Sequence, residues 1–342
     1  MECCDMAFSS IAKNLNRYSI IQSINDFDIY TKQDISRNTK LSFPTTSKIV
    51  DELVAENVIH TLSGKRNDTG GRKAYEYQLD KEYAHSLCMI IEPNRIKTII
   101  TNMALEKKDA AEKVVDGDVT IQTILSFAQE HYVRNPKIRS FAVGVPGAVH
   151  KGKIFLIDGF KKLQNCELQN IIRQTFHIPA VVLNNMNALI SGFGKKSFDN
   201  SVRENIACIH IGENGPGCSC LVNGAPVSGF CGFQGEIGFN LFDSTRTFRE
   251  IALNDYQNVN MQDYIGRLAV QIITMINPHQ IMIYLTRNMP ETDIKEYCMQ
   301  YLPREVIPQF AYLHTYEADY TAGLMAAGIE MIFSTIYQIH DI

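Results

Sequence analysis

Residues 205–217 read Asn-Ile-Ala-Cys-Ile-His-Ile-Gly-Glu-Asn-Gly-Pro-Gly. The apolar run from Asn205 to Ile211 predicts a buried strand, and the glycine-rich segment after it predicts a tight turn into a hairpin that ends at Val227. The next predicted elements are an amphipathic helix from Gln262 to Ile276 and a strand at Ile281–Leu285. Strands that alternate with helices in this way indicate an α/β architecture.

The sequence before this stretch has the same organisation. Strands are predicted from Ser86 to Met103, a helix near Val119–Tyr132 and a further strand at Phe141–Val145. Residues 10–80 differ, because their pattern predicts short helices followed by a charged hairpin. A chain of 342 residues is long enough for two or three domains. We therefore predict a small N-terminal domain followed by a larger α/β body.

The composition is that of a globular protein, with 45% hydrophobic and 20% charged residues. The net charge is −4, so any binding to nucleic acid must come from a local basic patch. We find neither a signal-peptide pattern nor an apolar run of the roughly 20 residues that span a bilayer. The nine scattered cysteines indicate free thiols rather than a secreted disulfide framework. We expect a cytoplasmic protein that does not associate with membranes.

Residues 17–54 predict a helix-turn-helix. A short helix at Arg17–Asn25 comes first, and Thr31-Lys-Gln-Asp34 then has the spacing of a capping box for a helix that ends near Thr39. Ser42 is the predicted N-cap of the next helix, with Pro44 just inside it. The first turns of this last helix are expected to expose small polar and basic side chains to DNA. They are Thr45, Thr46, Ser47 and Lys48.

A basic hairpin follows the last helix of the predicted helix-turn-helix, the one that begins after Ser42. Two apolar-alternating strands within Leu62–Leu79 flank a glycine-rich tip, which is the pattern of the wing of a winged helix. Between Thr31 and Lys73 there are eight Lys and Arg residues against five Asp and Glu, a local charge of +3. The DNA-contacting candidates in the wing are Lys65, Arg66, Arg72 and Lys73. The alternative is a generic helical packing module with a solvated charged hairpin.

Seven short segments, in this order and spacing, resemble the ROK family of bacterial repressors and sugar kinases. They are Gly71-Arg72, Gly144-Val-Pro-Gly147, Val182–Ala188, Gly215-Pro-Gly217, Asn223-Gly224, Gly235-Glu-Ile-Gly238 and Thr321–Ala327. The resemblance spans nearly the whole chain and is to the repressor branch. It implies an N-terminal winged helix-turn-helix followed by a two-lobed, actin-like (ribonuclease H-like) ATPase-fold body.

The resemblance also implies domain limits. The DNA-binding domain is expected at residues 1–82, the first lobe at 83–190 and the second lobe at 191–320. A C-terminal helix at 321–342 is expected to pack back against the first lobe. The partners that follow are a double-stranded DNA operator, a carbohydrate effector between the lobes and a second copy of the chain in a homodimer or homotetramer.

The residues that would support kinase chemistry depart from the family pattern. Asn185 stands where the kinases carry an aspartate base, and an amide cannot accept the proton of a sugar hydroxyl. Ile90–Arg95 lacks the aspartate and glycines of the first phosphate turn, while Glu213 and Ser219 replace glycines of the second. The segment Tyr284–Asn288 lacks the Gly-Gly near adenosine. We expect no kinase activity; the alternative is a sugar kinase with an atypical active site.

The zinc site of the family is also missing. Phe239 occupies the position of its histidine, and no cysteine occurs between Cys231 and Cys298. Cys218-Ser-Cys220 is interpreted as a pair of structural thiols, because zinc needs four ligands within reach. No metal and no cofactor are therefore expected.

Part of the sugar site matches the family. The resemblance implies effector contacts from Asn184 and Glu236, while Asn185 can still donate and accept hydrogen bonds. Gly144 and Gly147 would let backbone amides approach a ligand closely. The alternatives are that the polar side chains only satisfy buried backbone groups between the lobes, or that the regulator no longer senses any ligand. Together with the predicted winged helix, the resemblance therefore implies a repressor of carbohydrate-metabolism genes.

Overall fold

The computed structural model describes residues 2–62, 75–157, 159–197, 204–212, 215–285 and 293–337, without the side chains of residues 2–11 and 195–197. Over these residues, no helix is both long and apolar enough to cross a membrane.

The N-terminal module is a set of three helices and a small antiparallel sheet with strand order β1-β3-β2. Its elements are α1 (Glu2–Gln22), β1 (Tyr30–Thr31), α2 (Lys32–Thr39), α3 (Phe43–Ala55), β2 (Ile59–Leu62) and β3 (Glu76–Leu79). The capping box at Thr31 and Asp34 is present, and Ser42 caps α3 with a proline in its first turn. Strands β2 and β3 pair antiparallel as the predicted hairpin, but β2 lies at Ile59–Leu62, before the predicted range of Leu62–Leu79. The tip of the hairpin lies outside the described residues.

Two predictions for this module are wrong. The first helix runs from Glu2 to Gln22 and ends before Asn25. Thr46 is fully buried, because it lies one helical turn before Ile49 and Val50 on the inward face of α3. It therefore cannot contact DNA.

The first five-stranded sheet has the order β10-β7-β4-β5-β6. Its segment of the chain contains β4 (His85–Glu92), β5 (Arg95–Asn102), β6 (Lys107–Val114), α4 (Ile121–Arg134), β7 (Ile138–Val145), the hairpin β8 (Gly147–His150) and β9 (Lys153–Ile157), α5 (Leu168–Phe176), β10 (Ala180–Asn184) and α6 (Asn185–Ser197).

The second five-stranded sheet has the order β13-β12-β11-β14-β15. Its segment contains β11 (Ile206–Gly212), β12 (Gly215–Val222), β13 (Ala225–Pro226), α7 (Phe248–Asn254), α8 (Met261–Ile276), β14 (Gln280–Leu285), α9 (Ile294–Met299), β15 (Gln309–Leu313) and α10 (Glu317–Ile336). Single 3-10 turns lie at Ile237–Phe239, Tyr256–Asn258 and Arg304–Val306.

The two sheets have the same topology. In each, the first strand is antiparallel to the second and parallel to the fourth, and the fifth strand lies beyond the fourth. A helix follows each fifth strand, α6 in the first half and α10 in the second, and these two helices pack against each other. The α/β, two-lobed architecture predicted from the sequence is confirmed.

The core between the two sheets is built around α6 and α10. Buried residues of both helices pack with residues of β4, β11 and β14 in one apolar cluster. Outside this layer, α4 and α5 cover the first sheet and α7 and α8 cover the second. The helix α10 begins at Glu317, four residues earlier than expected, and lies against β4, β7 and β10. The domain limits at residues 82 and 190 stay predictions.

Candidate functional site

A cleft of about 210 Å³ opens between the lobes. It lies where β7, β10 and β11 end, because the carboxyl ends of parallel strands leave the sheet on one side. Its polar lining includes Asn184, Asn185, His210, Gln234, Glu236 and Tyr316, and Gly147 forms part of its wall. Four of the predicted effector residues, Gly147, Asn184, Asn185 and Glu236, therefore line one cleft.

Asn184 is used by the local structure. Its Nδ2 donates to the carbonyl of Gly147 at 2.7 Å, and its Oδ1 accepts from the backbone N–H of Met186 at 2.7 Å and of Asn187 at 3.2 Å. The side chain is thus the N-cap of α6 and ties that helix to the start of β8. Its amide satisfies buried backbone groups, which is one of the alternatives that the sequence left open.

Asn185 is half-buried and opens α6. Its Oδ1 accepts from the N–H of Met186 at 3.0 Å. Among the described residues no acceptor is recorded for its Nδ2, so this position offers a hydrogen-bond donor to the cleft. It provides no group that could take a proton from a hydroxyl.

Gly144 and Gly147 have different roles. A Cβ on Gly144 would lie 2.0 Å from the hydroxyl oxygen of Tyr320, so this glycine makes room for a buried side chain of α10. Gly144 is absent from the cleft lining, and the prediction that it faces a ligand is wrong. Gly147 does line the cleft, and a Cβ there would lie 2.3 Å from the carbonyl oxygen of Leu156.

The second lobe contributes two side chains that the sequence reasoning missed. In the described part of the chain, the Nε2 of His210 and the Oε1 of Gln234 are buried and have no hydrogen-bond partner. The His210 ring packs edge-on against Tyr316, with 4.8 Å between ring centroids. Burial lowers the pKa of His210 to about 4, so its ring is neutral at pH 7. A lone histidine in an apolar strand gives no sequence signal for a site.

The glycine-rich turn is an ordinary paired hairpin. Gly212 pairs with Gly215 and Ile211 with Pro216, so β11 and β12 are in register up to the turn. Residues 213 and 214 lie outside the described residues, and among them is Glu213, which replaces a glycine of the family's second phosphate turn. Residues 286–292, which include Arg287, also lie outside them. Ser219 is buried in β12 opposite Cys208, away from the turn.

The segment Ile90–Arg95 forms the tight connection between β4 and β5. The cations there are paired: Arg95 bonds to Glu92, and the Nζ of Lys97 lies 2.7 Å from an oxygen of Glu317 and 3.4 Å from one of Glu92. These pairs connect the first sheet to the start of α10.

The positions related to the family's zinc site are apolar or buried. Phe239 is 43% exposed and packs against Phe233, and the guanidinium of Arg249 lies 5.6 Å from the centre of its ring. The Sγ atoms of Cys218 and Cys220 are 3.7 Å apart, and their hydrogen bond together with burial raises the pKa of Cys218. No group of three or more potential ligands is placed to hold a metal within the described residues.

The outer face of α3 carries the remaining DNA-contacting candidates. Lys48 is exposed, while Thr45 and Ser47 are half-buried. The Oγ of Ser47 accepts from the Nζ of Lys32 at 2.9 Å, and Lys32 also pairs with Asp51 at 2.5 Å. Lys65, Arg66, Arg72 and Lys73 lie outside the described residues.

A physical connection joins the cleft to this module. Tyr316, at the start of α10, lines the cleft, whereas the other end of the helix belongs to the core of the N-terminal module. The residues of that end are Ile329, Ile332, Phe333, Ile336 and Tyr337. The buried Arg17 of α1 donates from Nε to the carbonyl of Ile336 at 2.6 Å, and Gln22 donates to the Tyr337 hydroxyl at 2.7 Å.

Comparison with known proteins supports this architecture. Residues 94–251 match the ROK family. The xylose repressors of Caldicellulosiruptor bescii and Bacillus spizizenii are 25% and 22% identical over 68% and 70% of this chain. The aligned part spans only 60% and 63% of the length of those repressors.

Two solved structures show the fold. One is a ROK family transcriptional regulator described as a homolog of the E. coli MLC protein, with a TM-score of 0.76, 16% identity and coverage of 96% of this chain and 99% of that one. The other is a putative N-acetylmannosamine kinase from Listeria monocytogenes, with a TM-score of 0.59, 16% identity and coverage of 70% and 97%. The regulator matches the chain including its N-terminal module.

Proposed function

We propose that this chain is a member of the ROK family and a DNA-binding transcriptional repressor of carbohydrate-metabolism genes that binds a sugar between its lobes. The observation that carries the proposal is the helix α10, which joins a cleft between two lobes to the core of a helix-turn-helix module. The names of the two curated relatives, both xylose repressors, support a link to carbohydrates.

The proposal includes the absence of kinase activity. Phosphoryl transfer needs a base, a cradle for the phosphates and charge neutralisation in one place. Asn185 cannot act as a base, and the first N–H groups of α6 are already bound by Asn184. Lys97 and Arg95 pair with carboxylates, and neither is among the described residues that line the cleft. We infer that the phosphate-binding parts of the fold have been converted into structural contacts.

The proposed mechanism uses α10 as a lever. The helix has 20 residues, which is about 30 Å of length. A ligand that touches Tyr316 and favours one lobe arrangement would shift the population of that arrangement, since only differential affinity can do so. A tilt of α10 would then move the DNA-binding module with it. In the proposed homodimer this alters the spacing of two modules that must reach half-sites about one DNA turn apart.

The proposed DNA reader is the outer face of α3 together with the wing residues named above. The test is selection of duplex sites from a random library by the full-length protein, followed by footprinting. Enrichment of a two-fold site, with weaker binding by Lys48→Ala and Arg72→Ala, supports the proposal. A control is Lys161→Ala, because Lys161 is exposed in the body. If no site is enriched at low salt, the proposal fails.

The rival function, a sugar kinase, is tested separately. ATP turnover is measured over a panel of hexoses for the wild type and for Asn185→Asp. Our proposal expects no turnover by either protein, because a restored carboxylate would still lack a phosphate cradle. Turnover by the wild type, increased in Asn185→Asp, would establish the kinase instead.

A further inference from the structure

Two unsatisfied polar atoms lie beside the cleft. His210 Nε2 and Gln234 Oε1 are buried without a partner in the described part of the chain, and both residues line the cleft. A buried polar group without a hydrogen bond is unfavourable, so such groups in a cleft point to a ligand that completes them. Neutral histidine and glutamine can both donate and accept hydrogen bonds. These are the properties of groups that bind hydroxyls.

The charges around the cleft do not suit an anion. Among the described residues that line it there is no lysine or arginine, and Glu236 supplies a carboxylate. Arg95 and Lys97 line a neighbouring cavity that shares Tyr316 with the cleft, and there they pair with Glu92 and Glu317. A phosphate ester placed here would find no lysine or arginine among the described lining residues, although such cations ordinarily bind phosphate.

The backbone offers no anion site in this cleft among the described residues. The N-terminus of α6 faces the cleft, but the side chain of Asn184 accepts from the N–H groups of Met186 and Asn187 that would otherwise bind an anion. In the glycine-rich hairpin, Gly212 and Gly215 pair across the strands, and Pro216 has no N–H. Within the described residues, the N–H groups at the start of α6 are therefore occupied, and Pro216 contributes no donor from the hairpin.

We infer that the cleft binds an uncharged, unphosphorylated carbohydrate, and that His210 and Gln234 are the side chains that recognise its hydroxyls. The inference rests on the proposed function, since it specifies the effector of the same cleft. Asn185 adds a donor from the first lobe, so a sugar seated here would bridge both lobes. A ligand that bridges the lobes is one that can distinguish their arrangements.

The test is isothermal titration of the full-length protein with matched pairs of monosaccharides. The probes are D-xylose, D-glucose and N-acetylglucosamine, each beside its terminal phosphate ester. We expect one of the uncharged sugars to bind and its ester to bind at least tenfold more weakly. We expect Gln234→Ala and His210→Leu to weaken that sugar roughly tenfold, as loss of one hydrogen bond does. His210→Gln, which keeps a polar group near Nε2, should restore part of the affinity.

Gln300→Ala is the matched control, because Gln300 is exposed at the end of α9, and it should leave sugar affinity unchanged. Circular dichroism and sugar-free operator binding show whether each variant is folded. Tighter binding of an ester than of its sugar overturns the inference, as does unchanged sugar affinity in both Gln234→Ala and His210→Leu. If no probe binds while a specific operator is still recognised, the inference fails and the proposed DNA-binding function stands. If no operator is recognised, the proposed function itself fails.

Discussion

Gly192 of α6 and Gly323 of α10 meet in direct backbone contact where the two helices cross. A Cβ on Gly192 would lie 1.9 Å from the carbonyl oxygen of Asp319, and one on Gly323 would lie 1.8 Å from that of Ala188. These helices follow the last strands of the two sheets, so the crossing joins the two halves of the duplicated fold. Gly323 belongs to a segment by which the sequence resembles the ROK family, and the close helix crossing explains why a glycine is needed there.

A methyl group at this crossing should destabilise the whole body. We expect Gly192→Ala and Gly323→Ala each to lower the free energy of unfolding by roughly 1–3 kcal/mol or more, because backbone cannot move aside as a side chain can. Gly194→Ala is the control on the same helix, since its Cβ would meet only the tip of Leu221 at 2.9 Å. It should be neutral or stabilising by about 0.5–1 kcal/mol. Urea denaturation measures the free energy of unfolding of all three variants. Equal losses in all three would contradict the claim that the backbone contact at the crossing requires Gly192 and Gly323.

The two neighbouring positions on α3 should behave oppositely in DNA binding. Lys48→Ala should weaken binding to every duplex. It should also reduce the slope of log affinity against log salt concentration by about one, as the loss of one phosphate contact does. Thr46→Val should leave affinity unchanged, because Thr46 is buried and its hydroxyl has no partner in the described structure. Fluorescence anisotropy at several salt concentrations measures both variants. Weak DNA binding by a folded Thr46→Val protein would show that this threonine faces DNA.

The C-terminal end of α10 should control the stability of the N-terminal module, the proposed DNA reader. Phe333 is 8% exposed and stacks on Tyr337, so Phe333→Ala should cost roughly 3–5 kcal/mol. We expect earlier proteolysis within α1 to α3 and loss of operator binding, while the lobes still bind sugar. Thr335→Ala on the exposed side of the same helix is the control and should stay within about 0.5 kcal/mol of wild type. Equal resistance of Phe333→Ala and wild type to proteolysis would refute the role of this helix.

Glu82 should contribute to acid sensitivity. Burial raises its pKa, but hydrogen bonds from Asn102, Lys108 and His85 outweigh that effect and bring its pKa to about 2 instead of 4.5. Because the folded pKa is depressed, the stabilisation is complete above about pH 4.5 and is lost as the pH falls towards 2.

The test compares urea denaturation at pH 7 and at pH 3 for Glu82→Gln and for the exposed control Glu305→Gln. Glu82→Gln should be less stable than wild type at pH 7 and should lose less stability on going to pH 3. Glu305→Gln should follow the wild type at both pH values. A Glu82→Gln protein with the wild-type acid response would mean that this carboxylate is not responsible.

The helix caps of the N-terminal module were predictable, because a cap depends only on residues close to it in sequence. The capping box at Thr31 and the cap at Ser42 satisfy N–H groups two or three residues away, so the sequence alone predicts them. Thr46 shows the limit of such reasoning. Each residue turns a helix by about 100°, and only the packing of α3 against its neighbours decides which threonine points inward.

The cleft was predictable only where a motif marks it. Asn184 and Glu236 lie in segments that resemble the ROK family, and both line the cleft. The hydrogen bond from Asn184 to the carbonyl of Gly147 joins residues 37 apart in sequence, so the sequence alone does not predict it. Gly144 was assigned to a ligand because Tyr320, which fills the space above it, lies 176 residues later in the chain. The sequence gives no sign of His210, because its role depends on a buried ring nitrogen that has no hydrogen-bond partner among the described residues.

The join between α10 and the N-terminal module also orders the events of synthesis. The module's core needs Ile20 and Leu79 from the start of the chain and Ile329 to Tyr337 from its other end. At about 5–20 residues per second, a ribosome takes roughly 12–50 s to make the roughly 250 residues between them. A nascent chain therefore lacks part of this core for most of its time on the ribosome. If the module is the proposed DNA reader, we expect a product stalled or cleaved before α10 to bind an operator more weakly than the whole protein.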